Sequence, residues 1–419
     1  MILNKLVLGN GLTILYKQLL GTHSFSFDLF VKAGVRYETI NQKGISNLLG
    51  NLHYRGINGF GQKQLFHKME SIGSSIEIFT YKDFIRFSMK VHPSYYIDCA
   101  EIFKSILSTY YWDEELLDKE KMTTIEQINE EMQYASLDKI VCNKIYGKSS
   151  LAWPIKGDYD SIKKIKIKDI VDFKKQVFNK NGVVLCVSGP IKECDLDFIK
   201  KFFSTVFLSN SLTESKNIVP VDFCKREFNI FWERYQWDYI DIDISFDVSF
   251  EKKETGKLDV LNCILGEGIG SKLQSVLREE LAIASNIKSF IEKHEELNIL
   301  HIQYSVEKSK FFMCFQCVIN ILKQMKTNIT ISDIETSLPF YRENLDFLLD
   351  DPQKYNFYNA YNTFILCNEF DFDGVVTPEE LMLFSAKIFI PANVSIVCLG
   401  DDSGIDKKEI QVILNELRE

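Results

Sequence analysis

Histidine is scarce in this chain: there are 6 in 419 residues, and no two stand four places apart. That spacing would set two imidazoles on one face of a helix, so its absence excludes a helical His pair gripping a metal. A positive charge excess is missing too. Lys and Arg number 49 against 58 Asp and Glu, a formal charge of -9, which argues against a nucleic-acid binder and its basic footprint. No apolar run approaches the roughly 20 residues that span a bilayer. The longest, around Phe311 to Leu322, has the length of a core helix. The opening MILNKLVLGNGLTILYK lacks a basic stretch leading into an uninterrupted apolar core, so no signal peptide is expected. The 10 cysteines are scattered through apolar segments, as in a reducing compartment. Cys314 and Cys317 form a C-x-x-C inside an apolar, helix-like run without a second pair, and read as core. The expectation is a cytoplasmic protein with no membrane span.

What is present is an ordinary globular composition, 46% hydrophobic and 26% charged, in a chain long enough for two or more domains. A hairpin is expected over residues 4–17, around the Asn10-Gly11 turn signal. The stretch HSFSFDLFVKA (23–33) alternates as a half-buried strand, and Ser75–Thr80 with Phe84–Val91 reads as a strand pair. Helices follow from about Tyr95 to Tyr110 and Asp113 to Ala135, then Ile167–Phe178, then the strand Val183–Ser188. The polar LSNSLTESKNIVP (208–220) is the best linker. Beyond it the order restarts: a strand over Tyr239–Phe250, a helix over Leu258–Leu265, helical character from Ser271 to Ala284, a strand over His301–Val306 and a helix over Lys310–Lys326. NGVVLCVSG (181–189) is echoed by NVSIVCLG (393–400), each after a helix. The pattern is an internal duplication: two α+β domains, each an antiparallel sheet packed by helices, over 1–207 and 221–419, joined by 208–220.

The stretch GISNLLGNLHYRG (44–56) organises the first half. Ile45, Leu48, Leu49 and Leu52 form one apolar helical face, while Asn47 and Asn51 stack one turn apart with Gly50 beside them. Two amides and a glycine are poor helix formers for such a place. This stretch, with the NGL turn, AGVRYE (33–38), IGSSIEIFT (72–80) and LGEGIGSKLQSVLREELAIA (265–284), resembles the insulinase/pitrilysin family of zinc metallopeptidases, the inverzincins with H-x-x-E-H. The resemblance covers essentially the whole chain. It implies two insulinase-like α+β domains, with two chains or halves closing over a substrate chamber.

Carried over position by position, the family's first histidine falls on Asn47, its glutamate on Gly50, its second histidine on Asn51 and its distant glutamate ligand on Gln127. All four are changed. Zinc takes imidazole, carboxylate and thiolate, and neutral carboxamides donate to it weakly. Gly50 also removes the general base that would deprotonate metal-bound water. Glu126 points about 100° from Gln127 on an ideal helix, and His53 lies off the required face, so neither substitutes. Asn47, Asn51 and Gln127 are expected to converge and hydrogen-bond one another. In the second half the resemblance implies a carbonyl-holding Arg and Tyr seven apart: Arg278 matches the arginine, Ser285 stands at the tyrosine position, and Tyr304 is a candidate replacement. Glu77 and Ile78 occupy the peptide-pairing edge strand, where the family prefers Asn and Ala; the alternative reading is an ordinary edge strand carrying a protective charge.

These residues lead to the expectation of a non-catalytic subunit. It would hold no metal itself and pair with an insulinase-like catalytic subunit that has an intact H-x-x-E-H and the zinc. The heterodimer would act on a peptide, for example in leader-peptide removal or maturation of a ribosomally made, bacteriocin-type peptide. The alternative is a peptide-binding or structural assembly module with no role in proteolysis. An active zinc endopeptidase with other ligands is the remaining reading.

Overall fold

The structure is a computed structural model describing residues 4–108, 112–209, 229–249, 255–367 and 375–418. The expected linker lies outside these residues from position 210 onward. The strands are β1 (Asn4–Val7), β2 (Thr13–Gln18), β3 (Phe25–Val31), β4 (Gly56–Ile57), β5 (Phe60–Gly61), β6 (Glu77–Thr80), β7 (Ile85–Val91), β8 (Val183–Gly189), β9 (Asn229–Arg234), β10 (Tyr239–Asp247), β11 (Ala284–Lys293), β12 (Asn298–Glu307) and β13 (Val394–Gly400). The helices of the first half are α1 (Ile45–Arg55), α2 (Gln62–Ser71), α3 (Tyr96–Leu107), α4 (Glu114–Met132), α5 (Leu137–Tyr146), α6 (Tyr159–Lys164), α7 (Ile167–Val177) and α8 (Glu193–Phe203). Those of the second are α9 (Thr255–Leu265), α10 (Lys272–Gln274), α11 (Phe311–Thr327), α12 (Ile331–Asp346), α13 (Pro352–Ala360), α14 (Pro378–Ile388) and α15 (Lys407–Asn415).

Two sheets carry the duplication. One runs β1-β2-β8-β3-β7-β6 and the other β9-β13-β10-β12-β11, read from matching ends. The pairs β2/β8 and β9/β13 are parallel, and the neighbouring pairs are antiparallel. Registers match residue for residue. Asp28 of β3 lies opposite Cys186 and Ser88; Asp243 of β10 lies opposite Val397 and Gln303 in the same places. The two-domain α+β fold read from the sequence is therefore present.

The compact units do not follow the sequence halves. Unit 1 comprises Met1–Ala135, Lys148–Val219 and Asp346–Asn368, so it includes α13; unit 2 comprises Ser136–Gly147, Pro220–Leu345 and Glu369–Glu419, so it includes α5. In unit 1, α13 packs on β3 and β8. This explains why β3 is buried along its whole length and not on alternate residues as its pattern suggests. Phe27, Leu29 and Val31 face the main core with α1, α3 and α7, while Phe30 joins Leu15, Val184 and Ile365 on the other face. Ser26 and Asp28 on that second face are polar yet buried, which requires partners. Asp28 Oδ1 accepts from two nitrogens of the Arg86 guanidinium (Nε at 2.9 Å, Nη2 at 2.6 Å), and Oδ2 accepts from Asn356 Nδ2 of α13 at 2.8 Å. In unit 2 the equivalent Asp243 meets His301 Nδ1 at 3.0 Å and Gln303 Nε2 at 2.9 Å, and Gln303 also donates to Asp138 of α5. Neither α5 nor α13 is among the helices expected from the sequence, and the helical character expected as far as residue 284 gives way there to β11.

Candidate functional site

The start of α1 is fixed by the AGVRYE segment. Gly34 has φ 108°, and a Cβ there would lie 2.4 Å from the Tyr81 carbonyl oxygen, so the chain passes too close for a side chain. Arg36 is buried and pairs with Asp83 at 2.6 Å. Glu38 is buried with its carboxylate accepting from the N–H groups of Gly44 (2.8 Å) and Ser46 (3.0 Å). It thereby caps a helix whose N-cap glycine has no side chain to do so. Burial, opposed by these bonds, raises the Glu38 carboxyl to about 7. The far end of α1 is held as firmly. His53 Nδ1 donates to the Leu49 carbonyl at 2.7 Å, and its Nε2 lies 3.2 Å from Nζ of the buried Lys174, whose pKa burial lowers to about 7. Burial, then the neighbouring Lys174 charge, keeps the His53 imidazole neutral, which suits both contacts. Arg55 reaches Glu120 of α4 at 3.0 Å, tying the two helices together. His53 is thus a core residue.

Between these anchors lie three of the four positions assigned to chemistry, Asn47, Gly50 and Asn51, and the fourth, Gln127, is on α4. Asn47 is 8% exposed, and its Nδ2 has no hydrogen-bond partner among the described residues. Asn51 on α1 and Gln127 on α4 are half-buried. Among the described residues no side-chain hydrogen bond joins the three amides, so the expected amide trio is not formed. A metal draws its donors to one point, whereas three neutral amides have no common attractor. Gly50 faces β6: a Cβ built on it would lie 3.2 Å from Thr80 Oγ1 and 3.4 Å from Ile78 Cγ2. The side chain missing from the helix and the isoleucine gained on the strand are one feature, since Ile78 and Thr80 fill the room that Gly50 leaves. This donor set does not fit zinc. Among the described residues no three His, Cys, Asp or Glu side chains are grouped to hold a metal.

Among the described residues β6 ends its sheet, paired only with β7. Glu77 is exposed and accepts from Gln353 Nε2 at 2.9 Å. Ile78 turns towards α1, so it crowds Gly50 rather than the outer edge, where a peptide was expected to meet it. A residue that the sequence did not single out reaches that edge: the Tyr54 hydroxyl accepts from the Ile78 N–H at 2.9 Å and lies 3.3 Å from the Ile76 carbonyl oxygen. Its position three places after Asn51, on the same helix face, was the available signal.

In unit 2, Arg278 lies in a π-helical turn (Ser275–Glu280) after α10 and is well exposed, with Glu279 at 3.8 Å. It lines a cleft of about 510 Å³ with Glu267, Gln274, Ile287 and Lys288. Ser285, the second residue of β11, lies opposite Ser305 just before a bulge at which Asn286 takes φ 52°, and does not line the cleft. Tyr304 is 2% exposed in the unit 2 core with its hydroxyl buried, so it is no replacement for the missing phenol. Cys314 and Cys317 are free thiols on α11.

A family model described as Insulinase (Peptidase family M16) matches residues 13–158, and one described as Peptidase M16 inactive domain matches 164–338. The chain belongs to the insulinase family. The second description concerns a stretch containing none of Asn47, Gly50, Asn51 and Gln127, and does not bear on them. A Bacillus subtilis (strain 168) relative named Uncharacterized zinc protease YmxG is 22% identical over 379 residues, 88% of this chain and 89% of that one. The mitochondrial-processing peptidase subunit beta of Saccharomyces cerevisiae is 26% identical over 229 residues, 52% of this chain and 49% of that one. Among solved structures, a Pseudomonas fluorescens peptidase M16 inactive domain gives a TM-score of 0.81 at 15% identity, covering 96% of this chain and 98% of that one. A Helicobacter pylori protease gives 0.80 at 17% identity, covering 95% and 99%. At these identities the solved structures establish the insulinase-family fold.

Proposed function

We propose that this insulinase-family protein is a non-catalytic subunit that pairs with an insulinase-like chain carrying an intact H-x-x-E-H and its zinc. In the heterodimer it closes the peptide chamber and helps to hold the substrate. One observation carries this reading: an intact family fold in which the base position is Gly50, with Ile78 and Thr80 filling its room. Such a site supplies neither metal ligands nor a base. Zinc belongs in the partner and none in this chain. Arg278, exposed on its cleft, is the residue assigned to a substrate carbonyl. Likeness to a protein named a processing peptidase supports a maturation role, such as removing the leader of a ribosomally made peptide. We assign the protein to the cytoplasm. No helix among the described residues is long and apolar enough to cross a membrane.

A second reading, a peptide-binding or assembly module outside proteolysis, is favoured by Ser285, which offers no phenol beside Arg278. Reconstitution separates the two. The candidate partner is assayed on a peptide alone, with this chain, and with its Arg278→Ala variant. The pair should cleave faster than the partner alone, and the variant should lose about tenfold or more of that gain, as for a charge-assisted bond. A pair no faster than the lone partner removes the subunit role.

A further inference from the structure

A strand at the end of a sheet offers one side of backbone groups to whatever can pair with them. The register identifies those groups on β6. Tyr81 donates its N–H to the Phe84 carbonyl at 2.8 Å, and the same register pairs Phe79 with Arg86 and Glu77 with Ser88. Hydrogen-bonded pairs alternate along an antiparallel ladder, so residues 77, 79 and 81 face β7 while 76, 78 and 80 turn their N–H and C=O groups outward. Half of these outward groups already have partners in the same chain. The Tyr54 hydroxyl accepts from the Ile78 N–H (2.9 Å) and donates to the Ile76 carbonyl (3.3 Å), and Met69 Sδ lies 3.3 Å from the Ile76 nitrogen as its acceptor. Among the described residues the Ile78 carbonyl and both backbone groups of Thr80 are left.

We propose that Tyr54 stands in for a bound strand: it closes the Ile76–Ile78 part of the edge and confines an extended peptide to the Thr80 end. A peptide strand engages a residue through both its N–H and its C=O, so at Ile78 it must first take the N–H from Tyr54. The phenol is not free to swing aside. Its ring packs against the unit 1 core, on a helix pinned at both ends by Glu38 and by the Arg55–Glu120 pair. The ligand class is an extended peptide read through its backbone. The inference rests on the reading of β6 as a peptide-pairing edge, and deepens it by naming the residue that limits it.

The test uses the full-length chain and Tyr54→Phe, which keeps the ring and deletes the hydroxyl. Hydrogen exchange of the segment containing Ile78 is followed without ligand. Binding of a fluorescein-labelled ten-residue peptide of alternating Ala and Thr is followed by anisotropy. Faster exchange at Ile78 in the variant, with about three- to tenfold tighter binding of the probe, is expected from removing a competing hydrogen bond. Unchanged exchange overturns the proposal. So does the absence of any gain in binding, whether both proteins bind equally or neither binds. The partner assay reads the subunit role separately: a faster pair with an inert Tyr54→Phe sinks the closed edge alone, while a responsive Tyr54→Phe without a faster pair sinks the subunit role alone.

Discussion

Gly50 is the residue that most constrains any return of metal chemistry to this fold. The ligand positions on either side of it need only new side chains, because α1 and α4 remain packed and tied by Arg55–Glu120. We therefore expect the triple variant Asn47→His/Asn51→His/Gln127→Glu to bind stoichiometric zinc, measured as metal retained after dialysis, where the parent chain retains none. The base is harder to restore. With Thr80 Oγ1 and Ile78 Cγ2 only 3.2 and 3.4 Å from a Cβ at Gly50, a glutamate side chain introduced there overpacks the helix–strand contact. Gly50→Glu alone should cost on the order of 1–3 kcal/mol in denaturant melts, and adding Ile78→Ala should recover much of it. A triple variant that folds normally and takes up no zinc would show that the three positions do not converge. Positions 47, 50 and 51 are assigned from the resemblance of the helix around them, and position 127 from the family's spacing to its distant ligand. The filling of the Gly50 space and the reach of Tyr54 are not legible in the sequence, since each joins residues some two dozen places or more apart through a side-chain direction that no spacing encodes.

Among elements, β3 and β10 show what periodicity conveys and what it hides. Alternation located both strands, and their matching registers underlie the duplication read from the two terminal strands. It also implied a solvated face on β3. In the structure that face holds Asp28 against Arg86 beneath α13, and the corresponding face of β10 holds Asp243 against His301, with α5 on that sheet. The chemistry of the duplicated pair has diverged: a guanidinium keeps its charge at any ordinary pH, and an imidazole does not. Burial alone would lower the His301 pKa, but the Asp243 charge and hydrogen bond, with Glu292 behind them, outweigh it and raise it to about 9. A folded-state pKa raised from 6.5 means stability fully present below pH 6.5 and lost as the pH climbs through about 9. Unfolding of the intact chain should therefore lose on the order of 3 kcal/mol across that window. His301→Gln should be less stable at low pH and show a flatter slope, by urea unfolding at several pH values. An equally steep slope in the variant would assign the pH dependence to other groups.

For the whole molecule, the composition of the two units turns a boundary expected from sequence into an experiment. Residues 208–220 separate the halves along the chain, yet α5 belongs to unit 2 and α13 to unit 1. A fragment ending at 207 lacks the helix that covers Ser26, Asp28 and Phe30, and leaves Arg86 without its Gln353 carbonyl contact. A fragment starting at 221 lacks Asp138, the partner of Gln303, and Tyr146, whose ring stacks edge-on against His294. Each fragment thus exposes an apolar and charged sheet face that the other fragment's helix covers. Expressed alone, 1–207 and 221–419 should be poorly soluble or lose cooperative melting; co-expressed, they should recover a soluble complex that melts like the intact chain. Sequence patterning missed this exchange because α13 buries Asn356 and Asn359 beside Tyr355 and Ala360 and so shows little apolar periodicity, and because periodicity in any case shows that a face is buried but not which sheet buries it. If 1–207 alone folds with a sharp melt near that of the full chain, the face over β3 does not depend on α13. The sequence halves would then be independent domains, and the exchanged helices dispensable.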